Sequence, residues 1–161
     1  MNDLNLTNQD NYFQFEADFV NSLHCIPMQV RMKLDNCGVK LKLVHWNQFT
    51  QSDRQKLVDM PCDTEAEAQT YRDFLQNLVI NSTGEPAKEL NVDPHPPWLD
   101  ATSIPDTVQT KVQECQKTIS VEQWSNLSPA QRFALIKLSR PSHENKNFMP
   151  ALQEFGVITA N

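Results

Sequence analysis

Four cysteines and one late run of charged and amide side chains are the residues whose types can do chemistry in this chain. Cys25, Cys37, Cys62 and Cys115 show no CxxC and no paired Cys/His spacing of the zinc kind. Cys25 and Cys62 each stand just ahead of an expected helix start, where the helix dipole lowers a thiol pKa. His24 adjoins Cys25, so His24, Cys25 and Cys62 make one conceivable metal or thiol site. Cys37 and Cys115 fall on apolar stripes and are expected in the core, where free cysteines are common. No Ser/His/Asp order or acid pair is specific enough to argue catalysis. Glu16 and Asp18 read as a paired carboxylate or as a solvated face, and His95, among prolines, as a solvated loop residue. The expectation is a chain without catalytic residues, metal or cofactor.

The late run is Lys137, Arg140, His143, Glu144, Asn145, Lys146 and Asn147. A largely apolar helix over about 129–139 carries Lys137 near its end, and Arg140 follows on roughly the same side. Pro141 breaks the chain, and His143 to Asn145 are expected to open the next helix. Such a corner sets two cations beside the free N–H groups of a helix start. That suits an anionic group, whether a partner's carboxylate or a cofactor phosphate. Lys137, Arg140, His143, Glu144, Asn145 and Asn147 are therefore the binding candidates, with Arg31, Lys33 and Asp35 behind them. The plainer reading is a basic helix end completing its dipole, followed by an exposed turn.

Composition bounds the rest. At 161 residues the chain is long enough for a real core, and 39% hydrophobic with 21% charged residues is a soluble globular balance. A net charge of −6 argues against a nucleic-acid binder, which shows a basic face. No apolar run approaches the roughly 18 residues of a membrane helix. The opening Met1-Asn-Asp-Leu-Asn lacks the basic and apolar regions of a secretory signal, so a cytoplasmic chain with reduced cysteines is expected. Three glycines, Gly38, Gly84 and Gly156, exclude the clustered glycines of a phosphate-binding loop or dinucleotide fingerprint.

The elements that position these residues repeat. Shifted by 78 positions, residues 26–60 fall on 104–138 without a gap, and eight positions are identical: Ile26/Ile104, Pro27/Pro105, Val30/Val108, Lys33/Lys111, Cys37/Cys115, Trp46/Trp124, Arg54/Arg132 and Leu57/Leu135. Each copy reads as a helix after proline, a short helix around tryptophan, and a third helix. Ser103 and Asp106 offer a cap for the second copy's first helix, Ser120 and Gln123 a capping box for its second, and Ser128 and Gln131 for its third. Thr50 and Asp53 do the same in the first copy. A longer helix opens at Thr64, buries Ala68, Tyr71, Leu75, Leu78 and Val79, and stops at Gly84. A proline-rich stretch over about 84–103 reads as a rigid crossover pinned by Trp98, and a last helix as about 143–155. The expected fold is all-α: one helical domain of two related units, an internal duplication in pseudo-twofold relation, with its halves packed on each other.

Several long motifs carry a resemblance. They are Phe15-Glu-Ala-Asp-Phe-Val, His24-Cys-Ile-Pro-Met, Val30-Arg-Met-Lys-Leu-Asp-Asn-Cys-Gly, Gln131-Arg-Phe-Ala-Leu-Ile-Lys-Leu-Ser-Arg-Pro, Ser142-His-Glu-Asn-Lys-Asn-Phe and Glu154-Phe-Gly. From about residue 13 onward the chain resembles the cyanobacterial nitrate reductase-associated protein family. The resemblance implies a cytosolic accessory protein required for active nitrate reductase, an enzyme carrying molybdopterin and an iron–sulfur cluster. It implies nitrate reductase, or the machinery supplying its molybdenum cofactor, as the partner. It brings no established catalytic residues. The readings that follow are a maturation or assembly factor, a small metal- or thiol-dependent enzyme using Cys25 and Cys62, and a regulatory binding module.

Overall fold

Side-chain caps start most of the helices, and backbone turns with proline or glycine beyond them end them. The computed structural model describes residues 12–16, 25–141 and 146–158. The described residues hold eight α-helices and one two-stranded ribbon, so the fold is all-α as expected. The chain forms two compact units, Met1–Asp93 and Pro94–Asn161. No described helix is long and apolar enough to cross a membrane.

In the first unit, α1 (Met28–Cys37) follows Pro27, which has no side-chain cap to offer. Glu16 supplies one instead. Its Oε2 accepts the Met28 N–H at 3.1 Å and its Oε1 that of Phe13 at 3.3 Å. Only 1% of Glu16 is exposed, so this is a buried carboxylate at a helix N-terminus, where the dipole favours its charge. Asp18, its supposed partner, lies outside the described residues. The helix ends at Gly38, whose φ of 77° is left-handed. A Cβ there would stand 2.7 Å from the Leu90 carbonyl oxygen and 2.9 Å from Val92 Cγ2, so glycine is required twice over.

Next come β1 (Val39–Lys40), α2 (Leu43–Gln48) and α3 (Gln51–Asp59), with Thr50 accepting the Asp53 N–H. Pro61 lies just past the end of α3. Thr64 and Glu67 form the expected capping box of α4 (Glu65–Thr83), which buries Tyr71, Leu75 and Val79, while Ala68 and Leu78 are half-buried. The proline-rich stretch is not a bare crossover. Its first part forms β2 (Lys88–Glu89), antiparallel to β1 with Val39 opposite Glu89. Gln76 on α4 holds Ala87 through both amide atoms, at 2.8 and 3.0 Å.

The second unit opens on a 3-10 turn, Pro97–Leu99, followed by α5 (Asp106–Glu114), α6 (Val121–Asn126), α7 (Pro129–Ser139) and α8 (Phe148–Glu154). Ser120/Gln123 and Ser128/Gln131 are full capping boxes, and Pro129 is the first residue of α7. Ser103 does not cap α5; Pro105 occupies that position without a side-chain bond. The last described helix spans the 7 residues Phe148–Glu154, within the expected stretch of about 143–155. His95 is exposed. Trp98 is pinned as anticipated, edge-on to Phe133 with centroids 5.0 Å apart.

The helix bounds in the two units recur at the 78-residue offset: α2 and α6 coincide end to end, and α1/α5 and α3/α7 share their starts. Trp46 and Trp124 are both fully buried. Arg54 and Arg132 are 9% and 6% exposed, and each donates to the carbonyls that end the preceding tryptophan helix. Arg54 reaches Trp46 O at 3.0 Å and Asn47 O at 2.9 Å. Arg132 reaches Trp124 O at 3.2 Å and Leu127 O at 2.8 Å, and adds Trp98 O at 2.7 Å. The correspondence has limits. Cys37 is buried, whereas Cys115 is half-buried because α5 stops one residue earlier.

Gly38 corresponds to Gln116, which holds the same left-handed turn at φ 60° without glycine's freedom. Opposite substitutions should therefore have opposite signs. Gly38→Ala should cost at least about 2 kcal/mol, from the strained φ and the Leu90 contact. Gln116→Gly should gain about 0.5–1 kcal/mol. Urea unfolding of both variants checks the pair.

His45 and Gln123 also correspond. His45 Nδ1 accepts the Lys42 N–H at 3.2 Å, and Gln123 Oε1 accepts the Ser120 N–H at 2.9 Å. Burial, with Lys42 beside it, holds the His45 pKa below the usual imidazole value of 6.5. A base with a depressed folded pKa binds fewer protons folded than unfolded, so its effect is absent above about pH 7 and destabilises as pH falls through the folded pKa. His45→Gln should keep the cap and flatten that part of the pH–stability profile below pH 6.5. Thermal melts of both proteins from neutral to mildly acid pH test this.

Candidate functional site

Two places carry the polar chemistry, one in each unit. In the second unit, an open cleft of about 440 Å³ lies between α5 and the end of α7, lined by Asp106, Thr107, Thr110, Lys111, Glu114, Ser139 and Pro141. Thr107, Thr110, Lys111 and Glu114 follow one another at helical spacings of three and one, so one side of α5 forms the wall. Lys111 Nζ pairs with Glu114 Oε2 at 3.5 Å, one helical turn on. Ser139 Oγ donates to Ile136 O at 2.7 Å, which fixes the floor. Arg140 caps α7 with an extended backbone and is exposed beside this cleft.

The remaining members of the late polar run fall as follows. Lys137 is half-buried, with its ammonium 5.2 Å from the Phe133 ring centroid, a cation–π distance. Asn147 stands at the N-terminal cap of α8 but makes no capping bond with its side chain. His143, Glu144 and Asn145 lie outside the described residues. The residues expected to open a helix at that corner thus fall outside the described ones, and the described helix beyond them runs over Phe148–Glu154. Ser139 and Pro141, on either side of Arg140, line the mixed-charge cleft.

In the first unit, Lys33 does not offer its charge to a partner. Its Nζ donates to Val58 O at 2.5 Å and Met60 O at 2.7 Å, completing the C-terminus of α3 from α1. Burial lowers its pKa, and Cys62, Asp63 and Asp59 oppose that shift. Asn36 Nδ2 reaches Cys62 O at 3.4 Å, so the segment after α3 is tied to α1 at several points. Arg31 Nε donates to Ile26 O at 3.3 Å, and Asp35 is half-buried.

This arrangement sets Cys62 against Cys37, a pairing that sequence reasoning missed. Cys62 Sγ lies 3.5 Å from Lys33 O and Cys37 Sγ 3.7 Å from Leu34 O, on adjacent residues of one helix. Each S–H donates to its own carbonyl, Cys37 to Leu34 O and Cys62 to Lys33 O. The neighbouring thiol raises the Cys37 pKa, with burial adding to that, and lowers that of Cys62; burial works against the latter shift and Lys33 assists it. Tyr71 covers the cluster and donates to Leu57 O at 2.6 Å. Burial, and then the two cysteines, push the Tyr71 pKa well up. His24 lies outside the described residues, and Cys25 is half-buried. Among the described residues no group of three or more His, Cys, Asp and Glu side chains is placed to hold a metal ion. The signal available for Cys37 was its place one turn beyond Lys33 and Leu34 on the helix that Cys62 had to meet.

The family profile described as conserved nitrate reductase-associated protein matches residues 12–155. The chain belongs to that family. The match spans both units and both polar sites. No curated protein and no solved structure matches the chain. The family's description points to an association with nitrate reductase.

Lys33 and Lys111 correspond at the 78-residue offset and do different work. Lys33→Met should cost about 2–3 kcal/mol, since two carbonyls at a helix end lose a charged donor. Lys111→Met should stay within about 1 kcal/mol of wild type, as its single partner, Glu114, is exposed and such a pair contributes little. Chemical denaturation of the two variants compares them directly.

Proposed function

We propose that this protein is an accessory factor for maturation or assembly of a cytoplasmic, molybdenum-containing nitrate reductase, and that it acts by binding rather than catalysis. Its partner is nitrate reductase or the machinery that supplies the enzyme's molybdenum cofactor. The observation that carries the reading is the family match over residues 12–155. The cleft beside α7 supports a binding role. Its lining is carboxylate, hydroxyl and ammonium on a firm helical wall, and Arg140 is exposed beside Ser139 and Pro141 at its edge. Lys137, Arg140, His143, Glu144, Asn145 and Asn147 form the contact surface in this reading, extended by Lys111 and Glu114 along α5. Arg31, Lys33 and Asp35 drop behind them, because Lys33 is engaged within its own unit.

A thiol enzyme is the second reading, favoured by Cys62 beside Lys33. Cys62 is only 2% exposed, and a metabolite-sized substrate reaches that sulfur only if the segment after α3 is displaced. The binding reading is the simpler one.

The test is capture of purified nitrate reductase, with and without its cofactor, by the wild-type protein and by a Lys111→Glu, Arg140→Glu double variant. Folding of the variant is first matched to wild type by circular dichroism and melting. We expect capture of the cofactor-free enzyme by wild type, weakened at least tenfold in the variant. Undiminished capture by the variant removes the cleft from the interface. Equal capture of both enzyme forms favours a regulatory module over a maturation factor.

A further inference from the structure

We propose that Cys37 and Cys62 are an oxidation site, a thiol pair that peroxide converts to a disulfide locking α1 to the segment that leads from α3 into α4. Both residues are buried, at 3% and 2% exposure, and all four cysteines in this structure are free thiols. The placement is over-determined. Lys33 holds Val58 and Met60, Asn36 holds the Cys62 carbonyl, and the Cys62 thiol rests on the Lys33 carbonyl. The Cys37 thiol rests one residue further along the same helix, on Leu34 O. Four separate contacts thus hold the two segments together, with the two sulfurs on adjacent carbonyls of α1. A bond between them would join residues that the fold already holds side by side.

The chemistry divides by environment. Cys62 has the Lys33 ammonium and the Cys37 S–H beside it, and both favour its thiolate, the nucleophilic form. Cys37 has the proton. The Cys62 thiolate attacks one oxygen of hydrogen peroxide, the O–O bond breaks, and hydroxide leaves; Cys62 is then a sulfenic acid. The Cys37 sulfur attacks the Cys62 sulfur, the S–O bond breaks, and the Cys37 proton departs with the hydroxyl as water. In total two thiols lose two hydrogens and one peroxide is reduced to two waters. Burial selects the oxidant. Cys62 is 2% exposed and lies between exposed Pro61 and Asp63, a place that favours a small oxidant such as peroxide over a bulky disulfide. The consequence is local. The bond would close the chain around α2 and α3 and fasten the end of α1, which restricts the unfolded state most.

This inference concerns the first unit and does not depend on the nitrate reductase reading. It is tested on the full chain by exposure to hydrogen peroxide, alkylation of remaining thiols under denaturing conditions, and peptide mapping by mass spectrometry. We expect a Cys37–Cys62 linked peptide, reversed by dithiothreitol, with Cys25 and Cys115 still alkylated. The oxidised protein should melt several degrees higher than the reduced one. In Cys37→Ala, which removes the resolving thiol, Cys62 should be captured by dimedone as the sulfenic acid. If that variant does not fold, the wild-type map decides alone. Three outcomes overturn the proposal: Cys62 carried to sulfinic acid without a link, a link between Cys62 and Cys25, or both thiols intact while Cys25 is oxidised.

Discussion

A buried guanidinium with no described carboxylate bond holds each unit together. The tryptophan helices α2 and α6 are six residues long, too short to persist alone, since a helix must extend well beyond its nucleus to be stable. Among their C-terminal carbonyls, Trp46 O and Trp124 O accept the C-cap N–H, and a short helix leaves the carbonyls beyond them to outside donors. Arg54 and Arg132 reach back from the next helix and supply donors for those carbonyls. Arginine suits this role because its planar fork offers five N–H groups and its charge is weakly hydrated. The cation also sits at the negative end of the helix dipole. Burial lowers the Arg132 pKa, and the Asp100 carboxylate counters it. Once this joint is made, Trp46 and Trp124 are driven into the core, and everything packed on them follows.

On that shared frame the two units diverge at the same place. In the first, Lys33 closes the gap between α1 and the end of α3, and Tyr71 from the long helix α4 seals it. In the second, Lys111 turns to Glu114 and the gap between α5 and the end of α7 is an open cleft. The segment over residues 97–100 is stitched instead to Trp124 and Arg132, through the Asp100 and Trp98 carbonyls at 2.9 and 2.7 Å. One lysine, kept in both units, thus has a structural task in one and remains available in the other.

Local features were legible in the sequence, and long-range ones were not. The stops at Gly38, Gly84 and Gly156, the capping boxes at Ser120, Ser128 and Thr64, and Pro129 at a helix start depend on residues within four positions of each other, so their chemistry is written in adjacent letters. The β1–β2 ribbon was missed because two-residue strands have no room for an alternating pattern. Glu16 read as a paired carboxylate or a solvated face, and its buried bond to the Met28 N–H was not legible because that group is 12 residues away. Cys62 and Cys37 were judged one at a time, since nothing in their spacing says that Lys33 and Asn36 will fold the chain back between them. Of the late polar run, Arg140 is exposed and Lys137 is half-buried against Phe133, while His143, Glu144 and Asn145 lie outside the described residues.

The difference between Lys33 and Lys111 bears on how the second unit can bind at all. An ammonium that donates to buried carbonyls leaves them unsatisfied when it moves, and such a group costs about 1–3 kcal/mol. Lys33 is in that position, so a partner cannot recruit it cheaply. The Lys111–Glu114 pair is different: Glu114 is 60% exposed and water can replace either partner. An exposed pair contributes at most about 1 kcal/mol. Exchanging Glu114 for a partner's carboxylate therefore costs little, and desolvation at the new contact strengthens the replacement bond. Arg140 at the cleft's edge supplies a second cation, and it follows a capped helix end that already has a fixed direction. In an acidic chain of net charge −6, one cation on the α5 wall and one just past the end of α7 also give an approaching acidic segment a favourable orientation.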